Sequence, residues 1–306
     1  MASSSSPRPN TLGRGAVLRD AVADSTIAIV GAPFALAAKL VEREGFAAVY
    51  LSGAAFSAGS LGIPDIGLFT LDQLAEQTRV LARSVSIPLV VDADTGFGGP
   101  EDVADCVVRL EAAGAAAIQL EDQQPAKRCG HLSGKQLVDE AAMCEKLAAA
   151  AAARRDSSTV IIGRTDARGV TDLDDCLRRL HAYREAGADW LFPEGLRTRG
   201  EFEQVGREFA AKGTPLLANM TEFGVSPLIT IEDLSAMGFS AALYPVTLMR
   251  IAMKAMEAGL GMITDEGTQE NLLDLMQTRE ELYDLLDYDP SRPDEWMEKH
   301  LGDLKK

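Results

Sequence analysis

Eight short apolar runs, strung along the chain and each followed by a polar cluster and a helix-like pattern, constrain the fold more than any other feature. They occupy residues 27–30, 48–51, 88–91, 117–120, 160–163, 190–192, 215–218 and 241–244. Apolar runs of this length without alternation suit strands covered on both faces, as in a parallel sheet. Eight strand–helix units in one chain of this size predict a (β/α)8 TIM-type barrel. The competing open, doubly wound sheet lacks its mark, because no GxGxxG follows the first run.

The pattern divides the chain into a disordered Ser- and Pro-rich tail (1–12), the barrel (13–245) and a C-terminal helical extension (246–306). In the extension Leu272, Leu275, Met276, Tyr283 and Leu286 form an apolar stripe at helical spacing. That stripe packs either on its own barrel or on a neighbouring subunit. The segment 141–155 is Ala-rich, opens on Asp139 and Glu140 and closes on Arg154 and Arg155, as capping and helix-dipole preferences favour. Two intervals exceed the length of a simple unit, 52–70 and 121–138. Both fall at the C-terminal mouth, where barrel enzymes keep their chemistry.

A formal charge of −16 excludes nucleic acid as a partner, since no basic stripe could repay approach to phosphates. It leaves room for a small anion, because a few arginines dominate inside a pocket. The N-terminus has no apolar leader, and the longest apolar stretch is broken by Gly31 and Pro33, so neither export nor a membrane span is expected. Four unpaired-looking cysteines point to a reduced, cytoplasmic protein.

Polar residues crowd the ends of the runs. Asp92 and Asp94 follow the third, and alternation along a strand would put both carboxylates on one side, toward a single cation. Hard divalent ions such as magnesium take one or two carboxylates plus water and substrate oxygens. The plain alternative is that the two aspartates cap the helix beginning near Pro100. Glu121 and Asp122, Arg164 to Asp166, Glu194, and Asn219 to Glu222 end later runs, and together they form a constellation. The Gly96–Phe97–Gly98–Gly99 segment reads as a turn rather than a phosphate cradle. Cys106, Cys144 and Cys176 sit in helical patterns as small buried side chains. Cys129 differs: Lys127, Arg128, Gly130 and His131 surround it, a setting that lowers a thiol pKa. Such a cysteine serves as a nucleophile or as a proton donor.

These segments resemble the isocitrate lyase / phosphoenolpyruvate mutase superfamily. The likeness rests on YLSG (50–53), VDADTGFG (91–98), the EDQ and KRCGH elements of 121–131, GRTDA (163–167), LFPE (191–194), NMTEFG (219–224), ALYP (242–245) and MQTREELY (276–283). It covers nearly the whole chain after the tail and is greatest for the bacterial 2-methylisocitrate lyases. The resemblance implies a modified barrel whose last helix swaps between subunits of a homotetramer, and a magnesium ion. It implies cleavage of a polycarboxylate, 2-methylisocitrate, to pyruvate and succinate in propionate breakdown. On matching positions, Asp92 and Asp94 would be the metal group, with Asp65 in an outer shell. Ser52, Gly53, Ala54, Gly130, Arg164, Glu194, Asn219, Thr221, Arg250 and Arg279 would bind substrate. Cys129 would be the acid, with Lys127 and His131 tuning it, and Tyr50 or a carboxylate acting through water would be the base. The chain departs from the usual pattern at Ala54, Ala55 and Phe56 and at Leu132 and Ser133, on mouth loops where substrate choice is made. Sibling reactions (2-alkylmalate lyase, oxaloacetate hydrolase, isocitrate lyase) and a non-catalytic carboxylate-binding barrel are the alternatives.

Overall fold

The computed structural model describes residues 13–125, 127 and 134–304. Eight parallel strands run in the order β6-β5-β4-β3-β2-β1-β8-β7: β1 (Ile27–Gly31), β2 (Ala48–Leu51), β3 (Leu89–Asp92), β4 (Ala117–Glu121), β5 (Val160–Thr165), β6 (Trp190–Pro193), β7 (Leu217–Asn219) and β8 (Ala241–Tyr244). Between β6 and β7 the ring is completed by a single parallel bridge, Leu191 to Leu216, making a nearly closed barrel. Each apolar run forms a strand, offset by at most two residues at either end.

Alternation along these strands sorts side chains into two cores. Ile27, Ile29, Ala48, Tyr50, Val90, Ala117, Val160, Ile162, Trp190, Phe192, Leu217, Ala241 and Leu243 point inward and fill the barrel. Their odd-man-out neighbours, such as Val49, Val91, Ile118, Ile161 and Leu191, face the surrounding helices. Leu18, from the helix Arg14–Asp24, joins the inner set and stoppers the N-terminal end. Only the C-terminal mouth is left for chemistry.

Helix ends differ from expectation in places. Asp139 precedes the helix Glu140–Ala153 but makes no side-chain cap. The helix Pro100–Ala113 is capped at Gly99, whose N–H donates to Asp102 Oδ2 at 2.8 Å, so Asp92 and Asp94 are not its caps. The stripe 272–286 is not one helix. A 3-10 segment, Glu270–Leu275, ends before Thr278, which starts the helix Arg279–Leu285 with a reciprocal Thr278–Glu281 capping box. Leu272 is buried while Leu275 and Met276 are exposed. The long helix Thr247–Glu266 buries none of its residues within the chain. No helix among the described residues is long and apolar enough to cross a membrane.

The mouth depends on one close approach. A Cβ built on Gly31, the last residue of β1, would lie 1.9 Å from the carbonyl oxygen of Pro245. Both groups are backbone, so a methyl there must push the segment after β8 outward. Gly31→Ala should therefore lower stability by about 2 kcal/mol or more. Gly200→Ala, exposed and with nothing closer than 3.8 Å, should be near neutral. Urea midpoints for the two variants test this; equal midpoints would refute the packing argument.

Candidate active site

The inward parity that fills the barrel continues into its polar rim. Asp92 follows Val90, Gln119 and Glu121 follow Ala117, Arg164 follows Ile162, Glu194 follows Phe192, and Asn219 follows Leu217. The top layer of the core is thus a ring of charge. A pocket there is lined by Tyr50, Ser52, Ala54, Asp65, Asp92, Lys127, Arg164, Glu194, Asn219, Thr221 and Arg250, together with an apolar wall of Phe192, Leu243, Pro245 and Val246. Most of the residues singled out from sequence therefore meet in one cavity.

Asp92 and Asp94 converge, but not by strand alternation. β3 ends at Asp92, and Asp94 takes a left-handed backbone, φ 51°, that folds its carboxylate back. A Cβ on Gly53 would lie 3.2 Å from Asp92 Oδ2 and 3.0 Å from Asp94 Oδ1, so both carboxylates border one point. Asp92 is held by three donors: Gly53 N–H to Oδ2 (3.1 Å), and Gln119 Nε2 (3.1 Å) and Asp94 N–H (3.2 Å) to Oδ1. Gly53, expected on the substrate, thus spends its N–H on Asp92. Lys127 is buried between Asp94, which it contacts directly, and Asp65, at 2.8 Å.

Burial raises the Asp94 carboxyl from 3.8 to about 7; Lys127 pulls it down, and Asp92 and Asp65 push it up. Glu121 is fully buried and raised well above the ordinary carboxylate value by desolvation, against the pull of Arg164 and Lys127. Neither of its oxygens accepts a hydrogen bond from a described residue. Crowded, under-compensated carboxylates with free lone pairs fit a hard divalent cation. Asp92 and Asp94 are the residues that could hold it, with Asp65 and Glu121 nearby. Among the described residues no three Asp, Glu, His or Cys side chains form a complete cage. That too suits an ion which keeps several waters.

Across the pocket, Arg164 donates from Nε and Nη2 to Asp166 (3.0 and 3.3 Å) and turns Nη1 toward Glu121 (3.4 Å) and Glu194 (3.5 Å). Its guanidinium lies 5.1 Å from the centre of the Phe192 ring. Asn219 Nδ2 donates to Glu194 Oε2 at 3.0 Å, and Asn219 Oδ1 accepts from the Thr221 N–H at 3.1 Å. Ser52 Oγ accepts from the Ala55 N–H at 3.3 Å, leaving its own proton for the pocket. Arg250 lies over the Phe223 ring beside Glu222.

Tyr50 is placed as a donor, to Gln119 Oε1 at 2.6 Å. Burial, and then Asp92, push its phenol well above the usual value, so it keeps its proton and is ill suited to act as a base. Phe56 does not reach the pocket; it is buried edge-on against Phe69, ring centres 5.4 Å apart. Arg279 does not line the pocket either; it is exposed at the start of its helix in a groove with Tyr283 and Tyr288. Cys129, Gly130 and His131 lie outside the described residues. Cys106 and Cys176 are buried and free, and burial pushes the Cys106 thiol up to about 12. Gln119 escaped the sequence reading, although a polar residue inside a continuous apolar run was its signal.

The family model for phosphoenolpyruvate phosphomutase matches residues 23–264. A 2-methylisocitrate lyase of Aeropyrum pernix is 47% identical over 275 residues, 90% of this chain and 87% of that protein. The crystal structure of a 2,3-dimethylmalate lyase, described as a PEP mutase/isocitrate lyase superfamily member, superposes with a TM-score of 0.86 at 34% identity, covering 95% of this chain and 96% of that one. A phosphonopyruvate hydrolase solved with oxalate and Mg++ gives a TM-score of 0.83 at 29% identity, covering 95% and 100%.

A carboxyl whose folded pKa is raised costs stability that sets in above its unfolded value, near 3.9, and is complete above the folded one. Asp94 should therefore destabilise the cation-free protein increasingly as pH rises toward about 7. A divalent cation binds only the ionised form, so below about pH 7 it must expel that proton and its affinity falls. The rise in melting temperature on adding millimolar divalent cation should be larger near pH 8 than near about pH 5.5. A shift of equal size at both would show that Asp94 is not a ligand.

Proposed function

The chain belongs to the phosphoenolpyruvate phosphomutase family, and from that membership and the chemistry of its pocket we propose that it is a carbon–carbon lyase cleaving 2-methylisocitrate to pyruvate and succinate. One observation carries the reading: paired carboxylates, buried and exposed arginines and an apolar wall line a single barrel mouth. Relatives at 43–47% identity that are called 2-methylisocitrate lyases support it.

Magnesium suits the site, and when bound between Asp92 and Asp94 it supplies a fixed positive charge that polarises the substrate hydroxyl and an adjacent carboxylate. Arg164, Arg250, Asn219, Thr221 and Ser52 donate to the remaining carboxylate oxygens. The hydroxyl proton goes to a pocket carboxylate. Glu121 is the residue we assign: a bound cation and Arg164 Nη1, 3.4 Å away, would hold it ionised against the burial that favours its proton, and neither oxygen accepts a hydrogen bond from a described residue. As the C2–C3 bond breaks, its electron pair passes to the succinate fragment, whose enediolate is stabilised by Arg164 and the surrounding donors. Cys129 returns a proton to that carbon, with Lys127 and His131 setting its acidity. Tyr50, with its proton kept, orients Gln119 and through it Asp92.

The methyl that distinguishes the substrate from isocitrate finds its place against Phe192, Leu243 and Val246. One methyl in an apolar pocket is worth roughly 10- to 200-fold in selectivity. With magnesium, kcat/KM for 2-methylisocitrate should exceed that for isocitrate by about tenfold or more. Coupled assays for pyruvate and glyoxylate measure both, and greater efficiency on isocitrate or a 2-alkylmalate would move the chain to a sibling reaction. In the same assay Cys129→Ser should lose most turnover yet still bind succinate, since a hydroxyl is a far weaker acid than a thiol near pKa 8.5. Wild-type rates in that variant would remove Cys129 as the acid.

We also assign a cytoplasmic homotetramer in which the extension exchanges between subunits. Ile251, Met253, Met256, Leu260 and Ile263 on the helix Thr247–Glu266 are 44–66% exposed, an apolar surface that an isolated chain would not leave in water. Arg279, which does not line its own pocket, is available to a neighbour's. Truncation before Thr268 should therefore give dissociated or aggregated protein in sedimentation. A folded, active monomer would show that the extension serves only its own chain.

A further inference from the structure

We propose that Lys135 and Asp166 are positioning residues that set the charge and direction of Arg164 for an incoming carboxylate. The inference rests on the lyase reading above, which gives Arg164 its anionic ligand. Lys135 is an unusual lysine: its side chain is 1% exposed, and its ammonium meets Asp166 Oδ1 at 2.7 Å. Asp166 is wholly buried at the end of β5. The same Oδ1 accepts Arg164 Nη2 at 3.3 Å and Oδ2 accepts Arg164 Nε at 3.0 Å, so one carboxylate serves two cations. Its own backbone is fixed as well, the Asp166 N–H donating to Asp122 Oδ1 at 3.0 Å.

The geometry has two consequences. The bidentate grip consumes two of the guanidinium's three nitrogens, leaving Nη1 as the one turned to Glu121, Glu194 and the pocket. Orientation is therefore decided by Asp166 rather than by the ligand. The second consequence is electrostatic. An isolated Arg164–Asp166 pair would be neutral and would offset neither Glu121 nor Glu194, both of which repel a polycarboxylate. The buried ammonium of Lys135 offsets Asp166, so the Lys135–Asp166–Arg164 group keeps one positive charge where water is excluded and charge counts most. Lys127 shows the inverse arrangement, one buried cation serving the two carboxylates Asp94 and Asp65.

The test compares wild type, Lys135→Met and the double variant Lys135→Met/Asp166→Asn by calorimetric titration with succinate and by steady-state kinetics on 2-methylisocitrate. Lys135→Met should weaken succinate binding and raise KM by about thirtyfold, with kcat within about threefold, since the loss falls on ligand attraction rather than on the acid or base. The double variant again leaves Arg164 as the group's one net charge but gives up part of the two-point grip, so its succinate affinity should recover by about threefold or more over Lys135→Met while staying below wild type. Unchanged succinate binding in Lys135→Met, a loss confined to kcat, or a double variant that binds as weakly as the single would each overturn the proposal. Should Lys135→Met not fold, the double variant, which leaves no Asp166 charge without its lysine, decides: a succinate affinity within about tenfold of wild type supports the proposal, and a loss of about thirtyfold or more overturns it. A wild-type protein that binds succinate but cleaves nothing refutes the lyase reading and leaves the binding comparison to decide this one. If it also binds no succinate, both fall.

Discussion

Uncompensated negative charge buried at one end of the barrel is the constraint around which the site is organised. Among the described residues six carboxylates are buried (Asp92, Asp94, Glu121, Asp122, Asp166, Glu194) against four cations (Lys127, Lys135, Arg164, Arg179). Charges withdrawn from water are tolerated only when paired and hydrogen-bonded. Asp122 meets this fully, accepting from Thr165 (2.6 Å), Tyr183 (2.6 Å), Arg179 (3.2 Å) and the Asp166 N–H (3.0 Å). The shortfall is concentrated among Asp92, Asp94 and Glu121, and its size is that of one divalent cation. A cation held there, as proposed, would thus serve the electrostatic balance of the fold as well as the chemistry.

The barrel makes this arrangement possible because alternation aims every second side chain at the same axis. The same rule explains what the sequence disclosed. A strand covered on both faces is a continuous apolar run, so all eight strands were readable with small errors at their ends. Where such a run stops, the next inward position is polar and faces the mouth, which is why Asp92, Arg164, Glu194 and Asn219 were readable as a set. Period and position were sufficient, and neither requires knowledge of any contact.

What stayed hidden depends on contacts or on local backbone. Asp94 reaches Asp92 through a left-handed residue, which spacing cannot reveal. Tyr50 lies at a position suited to a base, but its partner Gln119 makes it a donor, and that pairing spans 69 residues. Nothing in the sequence pattern marks Lys135, which burial and its contact with Asp166 distinguish. The division of the stripe 272–286 was readable in principle, since Thr278 followed three residues later by Glu281 is a capping-box signature. There apolar periodicity, the louder signal, concealed a helix start.

Reaction and substrate choice are carried by different sets of side chains, and this separates how readily each can change. The charged group is a coupled network: Gln119 ties Tyr50 to Asp92, Asp166 ties Arg164 to Lys135, and Glu121 and Glu194 share Nη1 of Arg164. Altering one member strands a buried partner, a cost that usually exceeds the worth of the lost bond itself. The apolar wall, in contrast, comes from Phe192 on β6, Leu243 on β8 and Pro245 and Val246 just beyond it. Replacing one of these changes volume and leaves no unpaired charge, a perturbation of about 1–3 kcal/mol for a methylene-sized difference. A barrel of this construction therefore resists drift in how it breaks a carbon–carbon bond while remaining open to drift in which acid it accepts. The departures at Ala54, Ala55 and Phe56 fit that division, because Ala54 borders the pocket while Phe56 is buried against Phe69 behind it.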